Sequence, residues 1–226
     1  QHLGIERLED LADRVFAADY GAHHALAWGW PIHLLIGDLD SLPEADLRAA
    51  QALGAALVTA PAAKDETDLE LALAQALAVG AQELIICAAL GGRADHALAN
   101  VLLLARPELN GIPVLIAEAA QTVRLLRGGD PAAGGLTLSG AAGDLTLLPF
   151  AGDAEGVRTA GLRYPLADEP LRFGQARGVS NVFEAATAHI WLRQGMLLVI
   201  HTRNPHTTPA TADASSGSTI AHESLL

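Results

Sequence analysis

The chain is short of several residue types, and each shortage narrows what it can be. Cys87 is the only cysteine in 226 residues, which excludes a disulfide framework. Lys64 is the only lysine, so every other basic residue is an arginine. Fourteen basic residues face 26 acidic ones, and a net charge of −12 argues against a partner with a phosphate backbone. No apolar run approaches the ~18 residues of a membrane span. Nothing at the start reads as a signal peptide. A soluble, cytoplasmic protein is expected, with no nucleic-acid or membrane partner. The chain does not open on methionine, so residue 1 is not expected to be the natural start.

Two familiar catalytic signatures are also missing. There is no GxxxxGK[ST] loop, so a Walker-type nucleotidase is not supported. There is no GxSxG elbow, so no serine nucleophile is indicated. His23, His24 and His33 match no zinc spacing, and Cys87 lies in an apolar strand where it reads as core.

What is present is enough for a sizeable core: half of the residues are hydrophobic and 18% charged. The first half alternates apolar runs with helical patterns. Strands are expected at Arg14–Ala18, Ile32–Ile36, Ala55–Thr59, Leu84–Ala89 and Val114–Ala117. Helices are expected at His23–Trp28, Pro43–Leu53, Asp68–Val79 and Asp95–Leu104. That order predicts an α/β domain over residues 1–118 with a parallel, Rossmann-like sheet covered on both faces. Residues 119–203 instead give short strands between Gly, Pro and Asp turns: Thr122–Leu126, Leu136–Leu138, Asp144–Leu148, Ala188–Leu192 and Met196–His201. They predict an all-β domain, a sandwich or barrel, with the sandwich preferred. The Thr-, Ser-, Ala- and Pro-rich tail, 204–226, is expected to be poorly ordered.

Acidity is concentrated in the first half: residues 1–110 hold 16 acidic and 6 basic residues. Ligands of open α/β sheets bind beyond the carboxyl ends of the strands. All four loops at those ends carry aspartate: Asp19 after the first strand, Asp38 and Asp40 after the second, Asp65 and Asp68 after the third, Asp95 after the fourth. Asp38 and Asp40 flank one residue, so both carboxylates can face the same way and suit Mg²⁺. Asp after a strand also caps turns, and Asp68 sits where Asp often caps a helix. Lys64 is a flexible phosphate contact or a solvated loop residue. Gly91 and Gly92 before a helix let backbone N–H groups approach an anion, with Arg93 adding a charged donor.

These segments resemble the thiamine pyrophosphokinase family. The resemblance is carried by AADYGA at Ala17–Ala22, GDLDSL at Gly37–Leu42, KDETDLELAL at Lys64–Leu73 and GGRADHALAN at Gly91–Asn100. It continues in LRYPL…LRFGQARGVSN between Leu162 and Asn181, and spans about residues 14–200. It implies transfer of pyrophosphate from ATP to the hydroxyl of thiamine, with Mg²⁺, yielding AMP and thiamine diphosphate. It also implies a homodimer whose site joins the α/β domain of one subunit to the β domain of the other. By the match, Asp38, Asp40 and Asp68 are the metal candidates, and Asp65, Asp68 and Asp95 the catalytic ones. Either Asp65 or Asp95 would take or orient the thiamine hydroxyl proton. Asp19, Gly21, Lys64, Gly92 and Arg93 would meet ATP, and Ser180 and Asn181 would line the thiamine pocket. The chain departs from the family pattern at Tyr20, where Gly is usual, and at Val182, where Glu is usual. The family's first strand and its Gly-containing loop are expected to lie before Gln1. Rival readings are a pyrophosphokinase acting on another alcohol such as a hydroxymethylpterin, a non-catalytic thiamine-binding relative, and a plain Mg-nucleotide module.

Overall fold

The computed structural model describes residues 12–61, 63–129, 135–139 and 143–203. The tail from Asn204 lies outside them. The chain divides into two compact units between Ala119 and Ala120.

The first unit runs β1 (Phe16–Ala18), α1 (Gly21–Ala27), β2 (Leu34–Gly37), α2 (Glu44–Ala52), β3 (Ala56–Thr59), α3 (Asp68–Ala78), β4 (Leu84–Cys87), α4 (Ala94–Leu103) and β5 (Val114–Glu118). Every strand pair within it is parallel. β1 pairs with β2 from Phe16↔Leu34 to Ala18↔Ile36, and β2 with β3 from Leu34↔Ala56 to Gly37↔Thr59. β4 pairs with β5 from Leu84↔Val114 to Cys87↔Ala117. Apolar runs such as Leu34–Gly37 form buried strands because both faces meet other elements: Leu35 and Ile36 are fully buried.

One continuous, fully covered sheet is not what the described residues form. β1–β2–β3 and β4–β5 stand as separate parallel sets, because β1 and β4 do not hydrogen-bond to each other. β3 is exposed at all four residues, as an edge strand, and α4 leaves Leu98 and Leu102 in solvent. The parallel set still does what matters for a site. It delivers the ends of β1, β2 and β3 side by side, and the loops that follow them start together.

The second unit is antiparallel throughout: β6 (Gln121–Arg127), β7 (Leu136–Ser139), β8 (Gly143–Pro149), β9 (Ala154–Ala160), β10 (Ala167–Leu171), β11 (Asn181–Val182), β12 (Thr187–Trp191) and β13 (Met196–Arg203). One sheet has the order β10–β9–β12–β7. In the other, β13 lies between β6 and β8, and β11 adds to β8. Alternating residues of both sheets meet in one core, including Leu145, Leu147, Val157, Ile190, Leu197 and Val199. β9, β10 and β11 are not anticipated by apolar alternation. β9 is interrupted by Gly156 at φ 69°, β10 is acidic and contains a proline, and β11 has two residues.

Candidate active site

Three aspartates converge at the carboxyl ends of β1 and β2. Asp19 follows β1 at φ 45°, a left-handed conformation that Asp tolerates better than most residues. Its backbone N–H donates to the Ile36 carbonyl at 2.8 Å, which ties the end of β1 to β2. After β2, Leu39 takes φ 63° between Asp38 and Asp40. A bulky residue held there marks a locally strained turn. Asp38 Oδ1 accepts the Asp40 N–H at 3.2 Å, so Asp38 does serve its turn through one oxygen.

Asp68 opens α3 but does not cap it. Thr67 Oγ1 accepts the Glu70 N–H at 3.2 Å, so the threonine is the cap and the Asp68 carboxylate stays available. Gly37 lets it come close. A Cβ at Gly37 would stand 3.1 Å from Asp19 Cβ and 3.2 Å from Asp68 Cγ, and its φ of 149° also favours glycine.

Asp19, Asp38 and Asp68 each offer an oxygen, all within 4.8 Å of one another. Like charges this close repel unless a cation joins them. Ser41 Oγ donates to Asp19 Oδ2, while Asp19 Oδ1 is buried with no donor among the described residues. Asp68 Oδ1 is also buried and accepts no hydrogen bond of good geometry, but Lys64 Nζ lies 3.0 Å away as an ion pair. Asp68 chiefly holds the Lys64 ammonium above the usual lysine range. Asp40 stands outside the group of three and is exposed, and the Asp38 charge raises its carboxyl above the usual aspartate range. Hard, anionic oxygens with a buried orphan among them fit a divalent cation of the Mg²⁺ type.

The other predicted residues lie on further loops of the first unit or in the second unit. Asp65 is exposed on the loop before α3. Gly92 takes φ 72°, where glycine is favoured, and an added Cβ at Gly21 or Gly91 would meet nothing in the chain. Arg93 forms a two-pronged pair with Asp95, Nε to Oδ1 at 3.1 Å and one terminal nitrogen to Oδ2 at 2.6 Å. That pair, helped by the His96 N–H, holds Asp95 down at about 2. In this state Asp95 is a weak proton acceptor. His23 bonds Asp46, His24 stacks on Trp28, and His33 accepts the Val15 N–H, so the three histidines gather no metal site. Cys87 is half-buried rather than core, and burial pushes its thiol up to about 12.

In the second unit Ser180 sits at φ 57° and its N–H donates to Thr146 Oγ1 at 3.1 Å. Asn181 lines a pocket of about 160 Å³ together with Leu147, Tyr164, Leu166, Arg177 and Val179. Its side chain accepts the Tyr164 N–H at 3.0 Å and donates to the Tyr164 carbonyl at 2.8 Å. Asn181 therefore positions the Tyr164 wall. Arg177 reaches Glu169, and Glu184 reaches Arg163 at 3.3 Å.

A carboxylate cluster beyond parallel strands, followed by a β-rich unit with its own pocket, fits a two-part transferase. Residues 5–116 match the family model "Thiamin pyrophosphokinase, catalytic domain", and residues 142–197 match "Thiamin pyrophosphokinase, vitamin B1 binding domain". The chain belongs to the thiamin pyrophosphokinase family. It is an enzyme of that family, which makes thiamine diphosphate by pyrophosphoryl transfer with ATP and thiamine as substrates. The thiamine pyrophosphokinase of Bacillus subtilis is 27% identical over 164 residues, covering 73% of this chain and 75% of that protein. A crystal structure of the B. subtilis protein superposes with a TM-score of 0.77 at 24% identity, covering 87% of this chain and 92% of that one. A thiamin pyrophosphokinase family protein from Enterococcus faecalis gives 0.73 at 26%, covering 87% and 91%. The Candida albicans enzyme still gives 0.70 at 14% identity, covering 86% and 84%. Among the described residues no helix is long and apolar enough to cross a membrane.

Proposed function

We propose that Asp19, Asp38 and Asp68 hold Mg²⁺, with Asp40 beside them, and that this centre carries the family's reaction in this chain. The observation that supports it most directly is the convergence of three carboxylate oxygens within 4.8 Å, one aspartate keeping a buried oxygen without a donor. When bound, a divalent ion neutralises polyphosphate charge, the main requirement of phosphoryl chemistry.

The chain's own residues supply the rest. Lys64 and Arg93 bind phosphate oxygens, and Gly92 and Gly21 let the polyphosphate approach the backbone. The thiamine hydroxyl oxygen forms a bond to the β-phosphorus of ATP. The bond from that phosphorus to the α–β bridging oxygen breaks, AMP leaves, and the hydroxyl proton passes to a base. Either Asp65 or Asp95 is that base: Arg93 holds Asp95 low while their pair is intact, and an Arg93 turned to phosphate frees it. Ser180 and the Asn181–Tyr164 pocket take thiamine. At about 160 Å³ the pocket falls short of the roughly 300–1,000 Å³ of a complete small-molecule site. On this reading a homodimer, in which the pocket of one subunit serves the carboxylates of its partner, completes it.

The test is a product assay with thiamine, ATP and Mg²⁺. Thiamine-dependent release of AMP, abolished by EDTA and by Asp68→Asn, is expected. Turnover that survives EDTA would overturn the metal assignment, and release of ADP would overturn attack at the β-phosphorus. Turnover of a hydroxymethylpterin instead of thiamine would favour the other alcohol, which no observed feature supports.

A further inference from the structure

We propose that Lys64 is the resident cation of the carboxylate cluster, and that a divalent ion must displace it from Asp68 and Asp38, so that metal and nucleotide bind cooperatively. The inference rests on the reading of that cluster as the metal site.

The geometry is specific. Lys64 Nζ lies 3.0 Å from Asp68 Oδ1 and 4.0 Å from Asp38 Oδ2. It also donates to the Pro61 carbonyl at 3.3 Å. The side chain is only 12% exposed, whereas lysine usually lies in water. Its two carboxylate partners belong to the same group of three that would ligate the metal. An ammonium and a divalent ion compete for those carboxylates, because two cations within a few ångströms repel each other.

Release of Lys64 is mechanically easy. Its charge sits on a flexible four-carbon stem with rotatable donors, so Nζ can swing without moving the backbone. What it lacks after release is a partner. A free metal ion breaks the Lys64 pairs and leaves the ammonium uncompensated. A metal ion that arrives with a polyphosphate brings new anionic oxygens, and the released ammonium moves onto them. The exchange therefore penalises metal alone and favours the metal–nucleotide pair. By linkage, nucleotide must tighten metal binding as much as metal tightens nucleotide binding.

A purely structural role makes a different prediction. As an i,i+4 pair to Asp68, Lys64 would only pin the loop to α3. Its loss would then loosen the cluster and weaken every ligand alike.

The experiment measures Mn²⁺ binding to the full chain by electron paramagnetic resonance, with and without the non-hydrolysable α,β-methylene analogue of ATP. Wild type, Lys64→Met and Lys64→Arg are compared, and circular dichroism confirms that each is folded. Lys64→Met is expected to bind free Mn²⁺ at least about tenfold more tightly than wild type. It is also expected to lose most of the tightening that the analogue produces in wild type. Lys64→Arg keeps the charge and should bind free Mn²⁺ as weakly as wild type. If folded Lys64→Met binds free Mn²⁺ no better than wild type, while wild type binds it with the analogue, the inference falls and the metal site stands. If no form binds Mn²⁺ even with the analogue, the metal reading falls and this inference with it.

Discussion

The Asn181 side-chain amide grips the backbone of Tyr164 at both polar groups, accepting its N–H at 3.0 Å and donating to its carbonyl at 2.8 Å. The same oxygen accepts the Val182 N–H at 2.9 Å. One side chain thus fixes one wall of the pocket and the start of β11. Asn181→Ala should lower stability by about 1–2 kcal/mol, since several modest hydrogen bonds are lost together. It should also raise the KM for thiamine far more than the KM for ATP. Denaturant melts and steady-state kinetics measure the two effects. An equal rise in both KM values would remove the pocket from thiamine binding.

The carboxylate cluster gives a graded prediction. Asp19→Asn, Asp38→Asn and Asp68→Asn should each lower turnover at least about a hundredfold, by weakening metal-assisted charge neutralisation. Asp40→Asn should cost less, because Asp40 stands outside the group of three. Asp19→Asn and Asp38→Asn should destabilise the fold by no more than about 1 kcal/mol, since each removes charge from a repulsive set, whereas Asp68→Asn also removes the partner of Lys64 and should cost more. Turnover and melting temperature, read side by side at saturating Mg²⁺, check both statements. Asp40→Asn as the most damaging of the four would shift the metal toward the Asp38–Asp40 turn.

The contrast between Asp40 and Asp19 shows what a sequence can and cannot carry. That aspartates recur at the strand ends was legible, because strand and helix periodicities fixed where each loop falls. Which of them meet was not. Asp40 is two residues from Asp38, and Asp19 is far away in sequence, yet Asp19 joins Asp38 and Asp68. That grouping depends on the left-handed turns at Asp19 and Leu39 and on the bare Gly37 between neighbours. None of these has a signature in residue spacing. Thr67 was similarly hidden: T-D at a helix start leaves open which side chain caps, and only the bond to Glu70 decides it. The second unit was read from its strongly apolar strands, while β9 and β10 carry arginine and acidic residues that mask their alternation.

Gly37 should be intolerant of any side chain. Its φ of 149° disfavours other residues, and a Cβ would press on Asp19 and Asp68. Gly37→Ala should cost about 1–3 kcal/mol of stability. It should also raise the Mg²⁺ concentration needed for half-maximal rate, because the two carboxylates it separates would be pushed out of position. A normal Mg²⁺ requirement in a destabilised variant would confine Gly37 to a folding role.

Asp95 makes a pH prediction whose sign is fixed. Its carboxyl is held at about 2 in the folded chain, below the ordinary 3.8, chiefly by Arg93 and then by the His96 N–H. A group depressed on folding adds stability above its unfolded value, and that stability is lost as pH falls toward 2. The pair is exposed, so the effect on stability is small. Carboxyl titration followed by NMR is the sharper measure. The Asp95 midpoint should lie near 2 in wild type and rise toward 3.8 in Arg93→Gln. A midpoint near the ordinary value in wild type would mean that Arg93 is not paired with Asp95 in solution and that Asp95 is open to act as the base.

The proposed homodimer can be tested by complementation. Let one inactive variant carry Asp68→Asn and another carry a severe change at Ser180. If each site draws its carboxylates from one subunit and Ser180 from the other, a mixed dimer collects both lesions in one site and neither in the second. Co-refolding equal amounts gives about half heterodimer by random pairing, and each heterodimer holds one intact site of two. Activity should therefore recover to about a quarter of wild type. Mixing the folded variants without subunit exchange should recover nothing, which separates shared sites from residual activity. If mass spectrometry confirms the heterodimer and activity stays absent, each site is built within one subunit. The metal cluster would then keep its assignment, because Asp19, Asp38 and Asp68 all lie in the first unit of a single chain.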